Sequence, residues 1–183
     1  AGMLQMCRRP NIVECLGLYA INGRQHLVTE LADTDLGSIL FYHTRLGEDS
    51  AATMTEQMLV GGRDPCYCKL GDFGTAMGLP SPSTRLHQRA GARGYCAPEM
   101  INGCYSIRAD MWSLGIVIYE ALHGRLPWFG KLDPSELEHK ILREPIVWRL
   151  NAKLSKQAVQ LLQHMLQRKP GRRISTGVAL AHP

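Results

Sequence analysis

Nowhere in the 183 residues is there a Cys-x-x-Cys pair; the six cysteines, Cys7, Cys15, Cys66, Cys68, Cys96 and Cys104, offer only the close spacing Cys66-Tyr67-Cys68. That spacing is too tight for an ordinary structural zinc site, so the thiols are expected to be reduced. A run of apolar residues long enough to span a bilayer is also missing, as is a recognisable signal peptide. A soluble intracellular protein, in the cytoplasm or the nucleus, is the expectation. No basic stripe is present either. The formal net charge is +5, but the Lys and Arg residues are scattered rather than aligned on one periodic face, which argues against nucleic acid and membrane as partners. The densest basic cluster, Arg168-Lys169 with Arg172-Arg173, reads as a structural turn rather than a nuclear address.

What is there points to one core. A chain of this length buries roughly 70% of its unfolded surface. Asp110-Met111-Trp112-Ser113-Leu114-Gly115-Ile116-Val117-Ile118-Tyr119-Glu120-Ala121-Leu122 is apolar around most of a helical circumference, the mark of a buried central helix. Asp133-Pro134 predicts a helix start that runs to about Leu142, and Ser155 caps a further helix with Val159, Leu162 and Leu166 on one face. Near the beginning, Leu16 to Tyr19 and His26 to Leu31 flank Asn22-Gly23, a hairpin signal.

The chemistry-bearing stretch runs from Lys69 to Glu99. Asp72-Phe73-Gly74 follows a strand-like Lys69-Leu70, and Ala97-Pro98-Glu99 closes the stretch, with Glu99 27 positions after Asp72 (99 − 72). An Asp-Phe-Gly turn alone occurs in many soluble proteins; the two triplets at this separation, around a loop rich in Ser, Thr, Pro and Arg, are specific. The stretch resembles the activation segment of a protein kinase. Gly124-Arg125-Leu126-Pro127-Trp128 resembles the serine/threonine class of that family.

The resemblance implies an α+β fold, protein kinase-like, with a mostly helical large lobe and a remnant of the small β lobe. Residues 1–183 would form a single incomplete domain, with 1–32 as small-lobe remnant and hinge and 33–183 as large lobe. The chain opens on Ala1 rather than Met, as expected of a fragment or processed chain. ATP and Mg are the implied cofactors. Asp72 is the implied metal ligand, since a carboxylate must reach the Mg²⁺ that bridges the ATP phosphates. By the same resemblance Thr29 stands at the back of the adenine pocket, Glu30, Leu31 and Ala32 form the hinge whose backbone takes the adenine edge, and Leu59 forms the pocket floor. Gly61-Gly62-Arg63-Asp64-Pro65 has the composition of the turn that follows. Glu99 is expected to pair with Arg173 of Lys169-Pro170-Gly171-Arg172-Arg173, and Asp110 to organise the loop around residues 50 to 52.

The resemblance fails between Phe41 and Gln57. The family carries His-Arg-Asp-Leu-Lys-Pro-x-Asn there, whose Asp receives the substrate hydroxyl proton and whose Asn holds a second Mg²⁺. Counting back from Met58-Leu59-Val60, expected as the strand after that motif, puts Ser50, Ala51 and Ala52 at the His, Arg and Asp positions, Met54 at Lys and Gln57 at Asn. The catalytic Asp position is thus Ala52, and no catalytic residue is assigned. Ala92 stands where the family carries the Thr that bonds this Asp and Lys. In the loop, Thr75, Ser81, Ser83 and Thr84 are candidate phosphorylation sites, a phosphate there pairing with Arg85, Arg89 or Arg93.

Two functions follow from the resemblance. One is ATP-dependent phosphoryl transfer to protein Ser/Thr, with this chain itself inactive or impaired. The other is a pseudokinase-like scaffold that holds a protein partner. A third outcome is a truncated chain that does not fold stably, its central helix left partly uncovered.

Overall fold

The computed structural model describes residues 4, 6, 7, 9–60, 68–128, 130–148 and 154–183. The Gly61 to Pro65 turn and Cys66 lie outside the described residues. The chain divides into two compact units, 1–35 with 52–78, and 36–51 with 79–183. The grouping of 52–78 with the N-terminal residues was not expected, and it follows from backbone pairing between residues far apart in sequence.

In the first unit, β1 (Cys15–Ile21) and β2 (Arg24–Thr29) form the antiparallel hairpin that Asn22-Gly23 announced. Both turn residues have positive φ, 51° and 74°, which matches the strand twist and suits Asn and Gly. The strands pair from Ile21 with Arg24 to Cys15 with Thr29, with one irregularity between Cys15 and Gly17. Leu70 then adds beside Ile12 in a parallel bridge. Its N–H donates to the Asn11 carbonyl (2.8 Å), its carbonyl accepts from Val13 (2.9 Å), and the buried Asn11 amide donates to the Cys68 carbonyl (2.8 Å).

The second unit is helical. It contains α1 (Leu36–His43), the start of α2 (Glu48–Val60), α3 (Pro98–Ile101), α4 (Arg108–His123), α5 (Pro134–Arg143), α6 (Lys156–Met165) and α7 (Thr176–Leu180). The core helix predicted from Asp110 onward is α4, whose Trp112, Ile116 and Tyr119 are fully buried. Gly115 gives α6 its seat: a Cβ there would lie 2.9 Å from Leu166 Cδ2 and 3.0 Å from Met165 Cβ. The start of α5 is the expected one, with Asp133 and Glu136 forming a reciprocal capping box around Pro134. Arg168 closes its other end, donating to the carbonyls of Ile141 (2.8 Å) and Glu144. The basic cluster is therefore partly structural, as its sequence suggested.

α2 corrects the sequence reading. Met58-Leu59-Val60 was expected as a strand and residues 50 to 52 as a loop; all six are helical. The reason is the period: Ala51, Met54 and Thr55 are buried and Met58 half-buried, the i, i+3, i+4, i+7 stripe of a helix. Glu48 and Asp49 occupy the first turn, where acidic side chains are favoured.

Glu48 also closes a long-range contact. Its carboxylate accepts from the Ser155 backbone N–H (2.8 Å) and from the Ser155 hydroxyl, while Ser155 Oγ caps α6 by accepting from Ala158 N–H (3.0 Å). One carboxylate thus ties the starts of two helices. Glu48→Ala is expected to cost about 1.5–3 kcal/mol, the range for charge-assisted hydrogen bonds, and Ser155→Ala about 1 kcal/mol or more through the lost cap. Urea denaturation of both singles and the double should show non-additivity, because the two changes remove the same contact.

Candidate functional site

Asp72 sits at the start of a single 3₁₀ turn, Phe73–Thr75, and adopts a left-handed backbone (φ 53°, ψ 70°). A non-glycine residue in that region is uncommon and is retained where its surroundings enforce it. Here the enforcement is local. Asp72 Oδ1 accepts from Gly74 N–H at 3.2 Å, and a Cβ on Gly74 would come within 3.1 Å of that oxygen. The carboxylate is exposed, while Phe73 beside it is half-buried. Asp72 therefore presents an exposed carboxylate, a hard oxygen donor, on a single tight turn. One or two such carboxylates with substrate phosphates are what Mg²⁺ takes. Asp72 fits that donor set, although no cluster of three metal-ligating side chains occurs among the described residues.

Glu30 follows β2 directly and is fixed on three sides. Its N–H donates to the Glu14 carbonyl (3.0 Å), Oε1 accepts from Glu14 N–H (2.7 Å), and both carboxylate oxygens accept from Lys69 Nζ at 2.6 and 2.7 Å. The Lys69 contact, then the Glu14 N–H, hold the Glu30 carboxyl below its ordinary range. Sequence reasoning missed this pair, whose only signal was two opposite charges 39 positions apart. Leu31 (97% exposed) and Ala32 project into open surface. Glu30, Ala32, Leu59 and Asp72 all lie in the first unit. Leu59, however, is half-buried in the last turn of α2 rather than on a strand.

The remaining positions divide. Ala52 lies exposed in the second turn of α2, and Gln57 is buried in the same helix, so neither stands in a loop. Asp110, in the first turn of α4, was expected to organise residues 50 to 52. It is solvent-exposed there, and no hydrogen bond joins its carboxyl to residues 50 to 52 among the described residues. Ala92 is exposed at the start of the Arg93–Tyr95 turn. Glu99 and Arg173 do pair, at 2.5 and 2.9 Å, and both are buried.

Along the loop, Ser81 and Thr84 form a turn in which Thr84 N–H donates to the Ser81 carbonyl, with Ser81 and Ser83 hydroxyls 2.9 Å apart. Arg89 and Arg93 share Glu138 of α5, at 2.9 and 3.9 Å, and Arg89 also donates to the Ile101 carbonyl. Tyr95 donates to Glu120 at 2.5 Å; burial first and then this bond raise the phenol far above its ordinary value. The five cysteines within the described residues are free, and burial pushes the Cys96 thiol up, away from reactivity. No helix among the described residues is long and apolar enough to cross a membrane.

The exposed aspartate on a left-handed turn and the buried Glu99–Arg173 pair stand where the expected family carries its Asp-Phe-Gly and Ala-Pro-Glu triplets. The chain belongs to the protein kinase family: the family model described as "Protein kinase domain" matches residues 62–183. The mostly helical part and the two-stranded remnant are those of a protein kinase fold.

Among its relatives, serine/threonine-protein kinase ULK3 of Mus musculus is 34% identical over 99% of this chain and 43% of its own length. Calcium-dependent protein kinase 11 of Arabidopsis thaliana is 28% identical over 99% of this chain and 41% of its own. Serine/threonine-protein kinase fused of Drosophila melanogaster is 29% identical over 96% and 24%. The chain thus spans less than half the length of these relatives. The match to the mouse protein runs over 208 residues against the 183 of this chain, so the relative carries residues inside the matched stretch that have no counterpart here.

Proposed function

We propose that this chain derives from a serine/threonine protein kinase, that it keeps the metal-side and base-side elements of an ATP site, and that as it stands it does not transfer phosphate. The observation that carries this reading is α2: residues 48–60 form one helix, and the sequence from Asp33 to Val60 offers no His-Arg-Asp triplet. A phosphoryl acceptor needs a carboxylate to take its proton, and the position counted for it, Ala52, has only a methyl group. Asp72 would hold Mg²⁺ against the nucleotide phosphates, and the backbone at Glu30 and Ala32 would hold the adenine edge. Mg²⁺, when bound, would neutralise charge on the phosphates.

ATP with Mg²⁺ is expected to raise the melting temperature by roughly 5–10 °C at about 100 times Kd. Asp72→Ala should abolish most of that rise, and radiolabelled transfer to a generic protein substrate should stay at background. Transfer above background that Asp72→Ala removes would overturn the inactive reading; an unshifted wild-type melt would overturn the nucleotide site.

A scaffold role has its own support. Phe41 and Tyr42, on α1, are 82% and 80% exposed and pack edge to face against each other (5.3 Å). Aromatic residues presented in this way are the anchors that protein interfaces favour.

A further inference from the structure

We propose that Glu30 is a positioning residue whose ion pair with Lys69 fixes the spacing between the base-binding backbone at 30–32 and the Asp72 carboxylate. The inference deepens the nucleotide reading above and rests on it.

Three strands of chain meet at this point. Lys69 lies three residues before Asp72, and its neighbour Leu70 is held by two backbone hydrogen bonds to the 11–13 segment. Glu30 is held to the next residue of that segment, Glu14, by one backbone bond and one side-chain bond. Residues 11–14 therefore brace both partners, but each through a separate set of contacts. The Glu30–Lys69 contact closes the triangle directly, with both carboxylate oxygens engaged by one ammonium.

Adenine and the metal-bound phosphates are opposite ends of one ligand. A protein that fixes the distance between its two receptors before binding loses less freedom on binding. Without the contact, Lys69-Leu70-Gly71 would keep its backbone pairing at Leu70 only, and the turn bearing Asp72 would follow a single bridge residue. Gly71 adds little restraint of its own, since its nearest outside neighbour, Val13 Cγ2, lies 3.5 Å from where a Cβ would stand.

Glu30→Gln isolates the ion pair, because the amide oxygen still accepts from Glu14 N–H while the charge that binds Lys69 is gone. Hydrogen exchange on the nucleotide-free chain reads the positioning itself. Glu30→Gln is expected to speed exchange at Leu70 and Gly74 by about threefold to fivefold, the upper range for a partly exposed ion pair, and to leave α4 amides unchanged. Lys69→Gln should have the same effect, and Glu30→Gln with Lys69→Gln should be no worse than either single variant, because both changes remove the same contact.

Titration with ATP and Mg²⁺ supplies the second reading: affinity should fall about threefold to fivefold in Glu30→Gln and no further in the double variant. Unchanged exchange at Gly74 in Glu30→Gln, or a double variant whose effect is the sum of the two singles, would overturn the positioning role. Wild-type chain that ignores ATP with Mg²⁺ would overturn the nucleotide reading instead, while the exchange result still decides whether Glu30 holds the Asp72 turn.

Discussion

Arg173→Ala is expected to cost about 3–5 kcal/mol, the range for removing one partner from a buried ion pair. The side chain is fully buried and spends its donors on several partners. The two terminal nitrogens reach the Glu99 oxygens, one of them also reaches the Arg108 carbonyl (2.5 Å), and Nε donates to the Gln167 carbonyl (3.0 Å). Its guanidinium carbon lies 5.4 Å from the ring centre of Trp112. Removing it strands a buried carboxylate and takes one donor from each of two carbonyls, and the uncompensated buried charge carries the larger penalty. Arg173→Lys should recover less than half of the loss, because an ammonium cannot reproduce the planar fork. Urea denaturation followed by tryptophan fluorescence measures both, with Trp112 as a reporter at the site.

Gly124→Ala is the second large effect, and it tests geometry rather than charge. Gly124 ends α4 in the left-handed region (φ 74°), and a Cβ there would lie 2.1 Å from the Thr44 backbone oxygen. The backbone must yield, because the nearest atom is not the end of a flexible side chain. Loss of left-handed freedom costs about 1–2 kcal/mol and overpacking about 1–3 more, so a total of roughly 2–5 kcal/mol is expected. Gly23→Ala provides the control: its φ is also 74°, but nothing lies within 4 Å of its added Cβ. That variant should show only the conformational part, about 1–2 kcal/mol. Equal losses at the two positions would mean that the Thr44 contact contributes nothing. A loss at Gly124 of several kcal/mol would also show that the 44–47 connection is held against α4, where Leu46 N–H donates to the Ala121 carbonyl.

These two sites differ in how well the sequence announced them. The Glu99–Arg173 pair was legible, because each residue belongs to a triplet or short motif whose resemblance named its partner. The close approach of Gly124 to Thr44 was not, since a glycine after a helix explains itself as a C-cap and says nothing of what lies opposite. The same contrast runs through the candidate site. Asp72 was singled out through its neighbours Phe73 and Gly74, but the left-handed backbone falls on Asp72 itself and not on the glycine. Lys69 was passed over as a strand residue, and only folding revealed that it reaches Glu30.

Local chemistry in the sequence determined the hairpin at Asn22-Gly23, the caps at Asp133 and Ser155, and the buried face of α4, because turn geometry, capping and helical period act over a few residues. Family resemblance, read from the Asp-Phe-Gly and Ala-Pro-Glu triplets, supplied the membership that the match over residues 62–183 bears out. Tertiary structure alone decided the state of residues 48–60. Their short apolar ending, Met58-Leu59-Val60, suits a strand or a helix equally, and burial of Ala51, Met54 and Thr55 on one side settled it as helix. It alone also decided that residues 52–78 group with the N-terminal hairpin, because backbone hydrogen bonds from Leu70 to Asn11 and Val13 join residues nearly sixty positions apart, and nothing local in either segment encodes its partner.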